Sequence, residues 1–141
     1  DIGAPAETPV YAFFDGVIHS FGNNSEEGSY GPTIITEHYV SLPEEVGSDV
    51  FGPKRKIWAL HGHLSMDSIE NLEIGSPFKA GQIIAKVGSE DVNGGWPPHV
   101  HFQLSLVEPE THDMPGVVEQ ENRESALKIY PDPRLVLGSL Y

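Results

Sequence analysis

The 141-residue chain has no cysteine, and its eight lysines and arginines face twenty-one aspartates and glutamates. Without cysteine there is no disulfide framework, no thiolate nucleophile or ligand, and no indication of the redox compartment. Any transition metal must therefore be held by histidine and carboxylate. The shortage of basic residues leaves a formal net charge of −13, which repels phosphate backbones and anionic membrane surfaces, so nucleic acid is not an expected partner. No apolar run approaches the roughly 20 residues of a membrane-spanning helix, and no internal repeat or low-complexity segment is visible. The length suits a single domain, residues 1–141. The chain starts at Asp1 without a methionine, so it is expected to be a processed product or an N-terminally truncated part of something longer, fused in that case to further domains in the full-length protein.

Against these absences stand seven histidines, four of them in two His-x-His pairs. In residues 93–106, Asn-Gly-Gly-Trp-Pro-Pro-His-Val-His-Phe-Gln-Leu-Ser-Leu, a turn-rich lead-in stops at His99 and an alternating polar and apolar strand begins. Side chains two apart on a strand share a face, so His99 and His101 project together while Val100 and Phe102 point the other way. Such a platform holds two metal ligands, or a ligand and a base. The second pair, His61 and His63, lies in the strand-like run 56–64. If the two strands pair, all four imidazoles are expected to share one patch.

The rest of the chain reads as short strands separated by turns, which predicts an all-β sandwich or barrel. Residues 9–14 and 16–21 form two strands with a hairpin or sharp corner at Asp15-Gly16. Residues 33–40 form another strand, with His38 at a partly exposed position. Residues 65–72 make a helical turn capped by Ser65, and residues 75–88 hold two short apolar runs. A short C-terminal helix is expected over 119–128, stopped by Pro131 and Pro133, with the apolar tail 135–140 packing back. The loops 22–31 and 41–53 are expected to wall the site, since loops on a rigid scaffold carry specificity.

Four blocks in order, Asp-Ile-x-Ala-Pro-Ala-x-Thr-Pro-Val-Tyr-Ala, His-Gly-His-Leu-Ser, Gly-Gln-Ile-Ile-Ala-x-Val-Gly and Pro-His-Val-His-Phe-Gln-Leu, span residues 1–104. In these the chain resembles the lysostaphin/LytM-type zinc metallopeptidases. The resemblance implies a compact antiparallel β domain that binds zinc through a His-x-x-x-Asp motif and the second His of His-x-His. It implies Asp1 and His101 as metal ligands, and His63 and His99 as the two catalytic, non-ligand histidines. His61 stands where relatives commonly have Tyr and is read as a neighbour. The family's first-ligand His falls four residues before Asp1, outside this sequence. Glu7 replaces the Gly of the family's Gly-Thr-Pro-Val turn, and Glu tolerates positive φ poorly.

A narrower likeness lies in Tyr-Gly-Pro-Thr-Ile-Ile from Tyr30, in Asn-Gly-Gly-Trp-Pro-Pro-His, and in Pro-Asp-Pro with Leu-Val-Leu-Gly near the end. These resemble the peptidase-like domain found inside large bacterial proteins, between a kinase-like domain and a class III pyridoxal-phosphate aminotransferase domain. The expected function is zinc-dependent hydrolysis of amide bonds in a peptide substrate, cell-wall cross-link peptides among them. The alternative is a non-catalytic or repurposed metal-binding module of a multidomain enzyme. The first reading places a wall peptidase outside the cytoplasm; an aminotransferase fusion belongs inside it.

Overall fold

In the computed structural model, which describes residues 1–138, the expected all-β architecture is present. β1 (Ile2–Gly3), β3 (Gly16–Asn24), β4 (Gly31–Val40), β5 (Arg55–Gly62), β6 (Pro77–Phe78) and β8 (His99–Ser105) form an antiparallel sheet in the order β1-β8-β5-β4-β3-β6. β2 (Pro9–Tyr11) and β7 (Ile83–Lys86) pair separately. Residues 9–14 and 16–21 therefore do not form a hairpin. Asp15-Gly16 is a corner that carries the chain from the small sheet to the large one.

The large sheet buries both faces. On one, Ile57, Ala59 and Leu104 pack with Phe13 and Phe102, and alongside them Ile18, Ile34 and Phe78 pack with Val10, Ile84 and Ala85 of the small sheet. On the other, Tyr30, Ile35, Trp58 and Leu60 pack with Met114 and Tyr130. Those last two belong to the stretch after β8, in which residues 106–122 cross the sheet as a strap and lead into α1 (Arg123–Ile129). α2 (Arg134–Leu137) follows, and Val136 packs back onto the first face as expected of the tail. The tail's last expected residues, 139 and 140, lie outside the described residues. The turn at Met66–Ile69 is a 3₁₀ helix, and Ser65 does not cap its backbone. Its hydroxyl instead donates to the Asp67 carboxylate and meets the Ser68 hydroxyl at 2.7 Å. Among the described residues, no helix is long and apolar enough to cross a membrane.

Two local irregularities matter later. His19 is the extra residue of a β-bulge where the β3–β4 register shifts between Ile18 and Ser20. The bulge lets Ile18 and Phe21, three apart, both reach one core cluster and turns His19 to the opposite face. Glu7 adopts φ 71°, with its N–H donating to the Val87 carbonyl at 2.8 Å. The turn that the substitution should disfavour thus forms anyway. A left-handed non-glycine costs roughly 1–2 kcal/mol, less than the roughly 1.5–3 kcal/mol each of Ile34, Leu60 and Leu64 contributes when fully buried. Glu7→Gly should accordingly raise stability by about 0.5–1 kcal/mol, read as an increased urea midpoint at constant slope.

Candidate active site

The register of β5 against β8 decides what faces what. Gly62 lies opposite His101, Leu60 opposite Gln103 and Trp58 opposite Ser105, so His101 and Gln103 share the Trp58–Leu60 face. Gly62 is fixed by space, because a Cβ there would come within 2.9 Å of the Tyr30 ring. The Tyr30 ring centroid stands 4.9 Å from that of His101 and 5.7 Å from that of His63. Its hydroxyl donates to the Met114 carbonyl on the strap at 2.9 Å. Burial pushes the Tyr30 phenol up to about 12, with the Asp113 charge adding to the effect, so it stays protonated.

His63 reaches this face because β5 ends at Gly62 and His63 then takes φ 60°, while its N–H donates to the Tyr30 carbonyl at 2.6 Å. The His63 Nδ1–H donates to the Asn93 carbonyl at 2.7 Å, which leaves Nε2 as the acceptor. His99 repeats the arrangement, with Nδ1–H donating to the Pro97 carbonyl at 2.7 Å. The two rings lie 4.3 Å apart, centroid to centroid. Burial drives His63 down to about 4, so it is neutral at neutral pH.

Asn93 holds the loop that orients both. Fully buried, it donates from Nδ2 to the Trp96 and Gly88 carbonyls and accepts the Trp96 N–H at Oδ1. This loop docks backbone to backbone on the loop before β4. A Cβ at Gly94 would come within 2.2 Å of the Ser29 carbonyl oxygen, and one at Gly31 within 2.7 Å of that of Val92. Both glycines have positive φ, 96° and 62°.

Asp1, Tyr30, His63, Trp96, His99 and His101 line a cleft of about 470 Å³, whose far wall is strap residues 113–117. Asp1 Oδ1 lies 2.9 Å from His101 Nδ1 and 3.9 Å from His99 Nε2. Gln103 settles the His101 tautomer. Its Nε2 donates to the Pro115 carbonyl at 3.0 Å, so its Oε1 accepts from His101 Nε2–H at 2.9 Å. His101 Nδ1 then presents a lone pair to a carboxylate oxygen, a contact that a cation relieves. Burial holds His101 below the ordinary histidine range, which disfavours a proton in that role. The donor set of one imidazole and one carboxylate fits a divalent metal, with the ligating imidazole held by an outer hydrogen bond.

Residues 1–113 match the description "Peptidase family M23". The chain belongs to that family. Two solved structures are similar to this M23 domain in fold. One is a mutant catalytic domain of the prophage-encoded M23 protein EnpA from Enterococcus faecalis, 23% identical, covering 84% of this chain and 74% of that one, with a TM-score of 0.53. The other is the catalytic domain of the antimicrobial peptidase lysostaphin from Staphylococcus simulans, 24% identical, covering 87% and 73%, with a TM-score of 0.51. None of the curated proteins compared matches the chain.

Asp1, His63, His99 and His101 thus come together in the M23 domain, but three further expectations fail. His61 does not join them. It pairs with Phe102 in register and packs against that ring, centroids 5.2 Å apart, on the opposite face, because the positive φ of His63 breaks the two-residue alternation that would have kept the pair together. His38 is buried, not partly exposed, with Nδ1–H donating to the Asp15 carbonyl and Nε2 meeting the Thr36 hydroxyl at 2.7 Å. Loop 41–53 does not wall the cleft, since it follows the far end of the ten-residue β4, about 30 Å from Gly31. The strap takes its place, and it carries no sequence periodicity that would have announced it. Gln103 and Tyr30 were also missed; Gln103 is two residues past His101, where one strand face repeats.

Burial also drives His61 down to about 4. Below pH 6.5 the unfolded chain takes up a proton here that the folded chain refuses until about pH 4. Stability contributed by neutral His61 is therefore complete above pH 6.5 and lost as pH falls toward 4, on the order of 3 kcal/mol in all. His61→Phe should flatten the acid side of the stability profile by about one proton, measured by urea unfolding between pH 7 and 4.5.

Proposed function

We propose that this M23 domain is a zinc metalloendopeptidase in which Asp1 and His101 are metal ligands and His63 and His99 are the catalytic histidines. The observation that carries the reading is the matched pair of imidazoles, each with Nδ1–H tied to a backbone carbonyl and Nε2 left as acceptor, beside the Asp1–His101 contact of two lone-pair donors. Zinc bound there supplies Lewis-acid polarisation of the scissile carbonyl and lowers the pKa of water. One of His63 and His99 takes the proton of the attacking water at Nε2; the other stabilises the oxyanion once protonated. Gln103 holds His101 in the ligating tautomer, and Tyr30 and Trp96 give the cleft apolar walls. In the family's ligand set the third donor is a His four residues before the position of Asp1, and a histidine there would complete the site that Asp1 and His101 begin.

The family resemblance implies a peptide substrate, glycine-containing or cross-link peptides among them. A net charge of −13 opposes docking onto anionic wall polymers. That charge favours a second reading, in which the domain sits in a cytoplasmic aminotransferase fusion and keeps the metal site without wall hydrolysis. A peptide-library cleavage screen on the full-length protein with zinc separates them. Zinc-dependent cleavage abolished by a chelator supports the first reading; stoichiometric zinc with no cleavage of any library member supports the second.

A further inference from the structure

We propose that His19, Glu37 and Glu108 form a second divalent-cation site, separate from the cleft, that ties the strap to the sheet. One ligand atom from each residue lies within 4.8 Å of the other two. They come from three separated places: the bulge in β3, the middle of β4 and the strap just past β8. Glu37 lies opposite Trp58, which lies opposite Ser105, so the group occupies the same sheet face as His101 but about 13 Å further along it, counting four residues of strand from His101 to Ser105.

The geometry of each side chain points the same way. His19 Nδ1 meets the Ser20 hydroxyl at 3.0 Å, leaving Nε2 as the atom that contacts Glu108 Oε1 at 2.9 Å. Glu37 Oε1 accepts the Trp58 Nε1–H at 3.0 Å, which orients the carboxylate as a ligand's outer partner would. Among the described residues, neither glutamate has a lysine or arginine within ion-pair distance. Two carboxylates are thus gathered around one imidazole in a protein already carrying a charge of −13, and the bulge is what turns that imidazole toward them. A dication neutralises the pair and accepts all three donors. One imidazole and two carboxylates, without sulfur, select a first-row ion such as Zn²⁺, Mn²⁺ or Co²⁺, with water completing the coordination on the exposed Glu108 side.

An ion here would add a side-chain tie between the sheet and the segment that walls the cleft, four residues before the His112 anchor. The strap is otherwise anchored ahead of Glu108 by the Ser105 hydroxyl on the Val107 carbonyl and the Leu106 N–H on that of Ile129, and beyond it by the Asn24 amide on the His112 carbonyl, the Tyr30 hydroxyl on that of Met114 and the Gln103 amide on that of Pro115. The role is structural, and the site does not depend on the reading of the cleft.

The test uses metal-free protein equilibrated with Zn²⁺ to count bound ions, and Co²⁺ titration followed by tryptophan emission, since Trp58 bonds directly to a ligand. Wild type, Glu37→Gln, Glu108→Gln and His101→Ala are compared. Glutamine at 37 still accepts from Trp58, and Glu108 is exposed, so neither change should disturb folding; far-UV circular dichroism checks this. The expected result is that each glutamine variant loses one Zn²⁺ equivalent, or binds it at least tenfold more weakly, with matching loss of Co²⁺ quenching, whereas His101→Ala retains that equivalent. Unchanged ion count and affinity in both glutamine variants, or no ion bound outside the cleft in wild type, overturns the proposal.

Discussion

Replacing His99 with alanine is expected to lower peptide turnover by about 10²–10⁴-fold, the range for losing a positioned acid–base group, while bound zinc stays in place. His101→Ala is expected to lose both turnover and zinc. The difference follows from which nitrogen faces Asp1 and at what range. His101 Nδ1 is in direct contact with Oδ1 at 2.9 Å, with its proton committed to Gln103 on the far side. His99 Nε2 is a full ångström further away, at 3.9 Å, and its ring is anchored by the Pro97 carbonyl. On the proposed reading one imidazole therefore ligates and the other exchanges protons with a group between it and the ligands. The check is a pair of measurements on each purified variant: zinc content after dialysis, and hydrolysis of the best library peptide. Equal zinc loss in both variants would reverse the assignment, and unchanged turnover in His99→Ala would remove His99 from the chemistry.

The second large effect concerns the third donor. A domain that offers the metal one carboxylate and one imidazole should bind zinc weakly, and a protein carrying histidine four residues upstream of Asp1 should bind it far more tightly. The gain should exceed the roughly 10–100-fold typical of an outer-shell partner, because a direct ligand is restored. Competition against a chelator of graded strength reads it for both forms. If the shorter protein holds zinc as firmly as the extended one, the ligand set is wrong, and the ion in the cleft is held by the histidines alone. Binding by either form should weaken below neutral pH, since the imidazole must be unprotonated to ligate.

How much of this was legible before the structure depends on which residue is considered. His99 and His101 sit within an uninterrupted strand, so the two-residue period placed them on one face correctly, and Phe102 on the other. The same rule misled for His61 and His63, because the strand stops at Gly62 and one backbone angle at His63 swings its ring across the sheet edge. A φ of 60° on a histidine leaves no trace in composition or alternation. His38 was misjudged for a related reason: polar identity suggested exposure, while a backbone carbonyl and a threonine hydroxyl satisfy it in the interior. The β architecture itself was readable from turn residues and apolar runs. The strap was not, since 106–122 owes its position to a few tertiary hydrogen bonds and to Met114, none of which makes a pattern along the chain.

The glycine-lined docking of one loop on another also divides the cleft into a part that can diversify and a part that cannot. Where Gly31 and Gly94 meet the backbone of Val92 and Ser29, there is no room for any side chain, and the His63 anchor at Asn93 rests on that junction. Attempts to retarget this domain by randomising residues 28–31 or 92–95 should mostly yield misfolded or inert variants. On the opposite wall Val117 and Val118 are exposed, Val117 at 91% of its full area, whereas Pro115 is committed through its carbonyl and Gly116 because a Cβ there would come within 2.7 Å of the Tyr30 hydroxyl. A library built there should change which peptides enter while leaving the chemistry intact, so selectivity and catalysis can be evolved from opposite banks of the same channel.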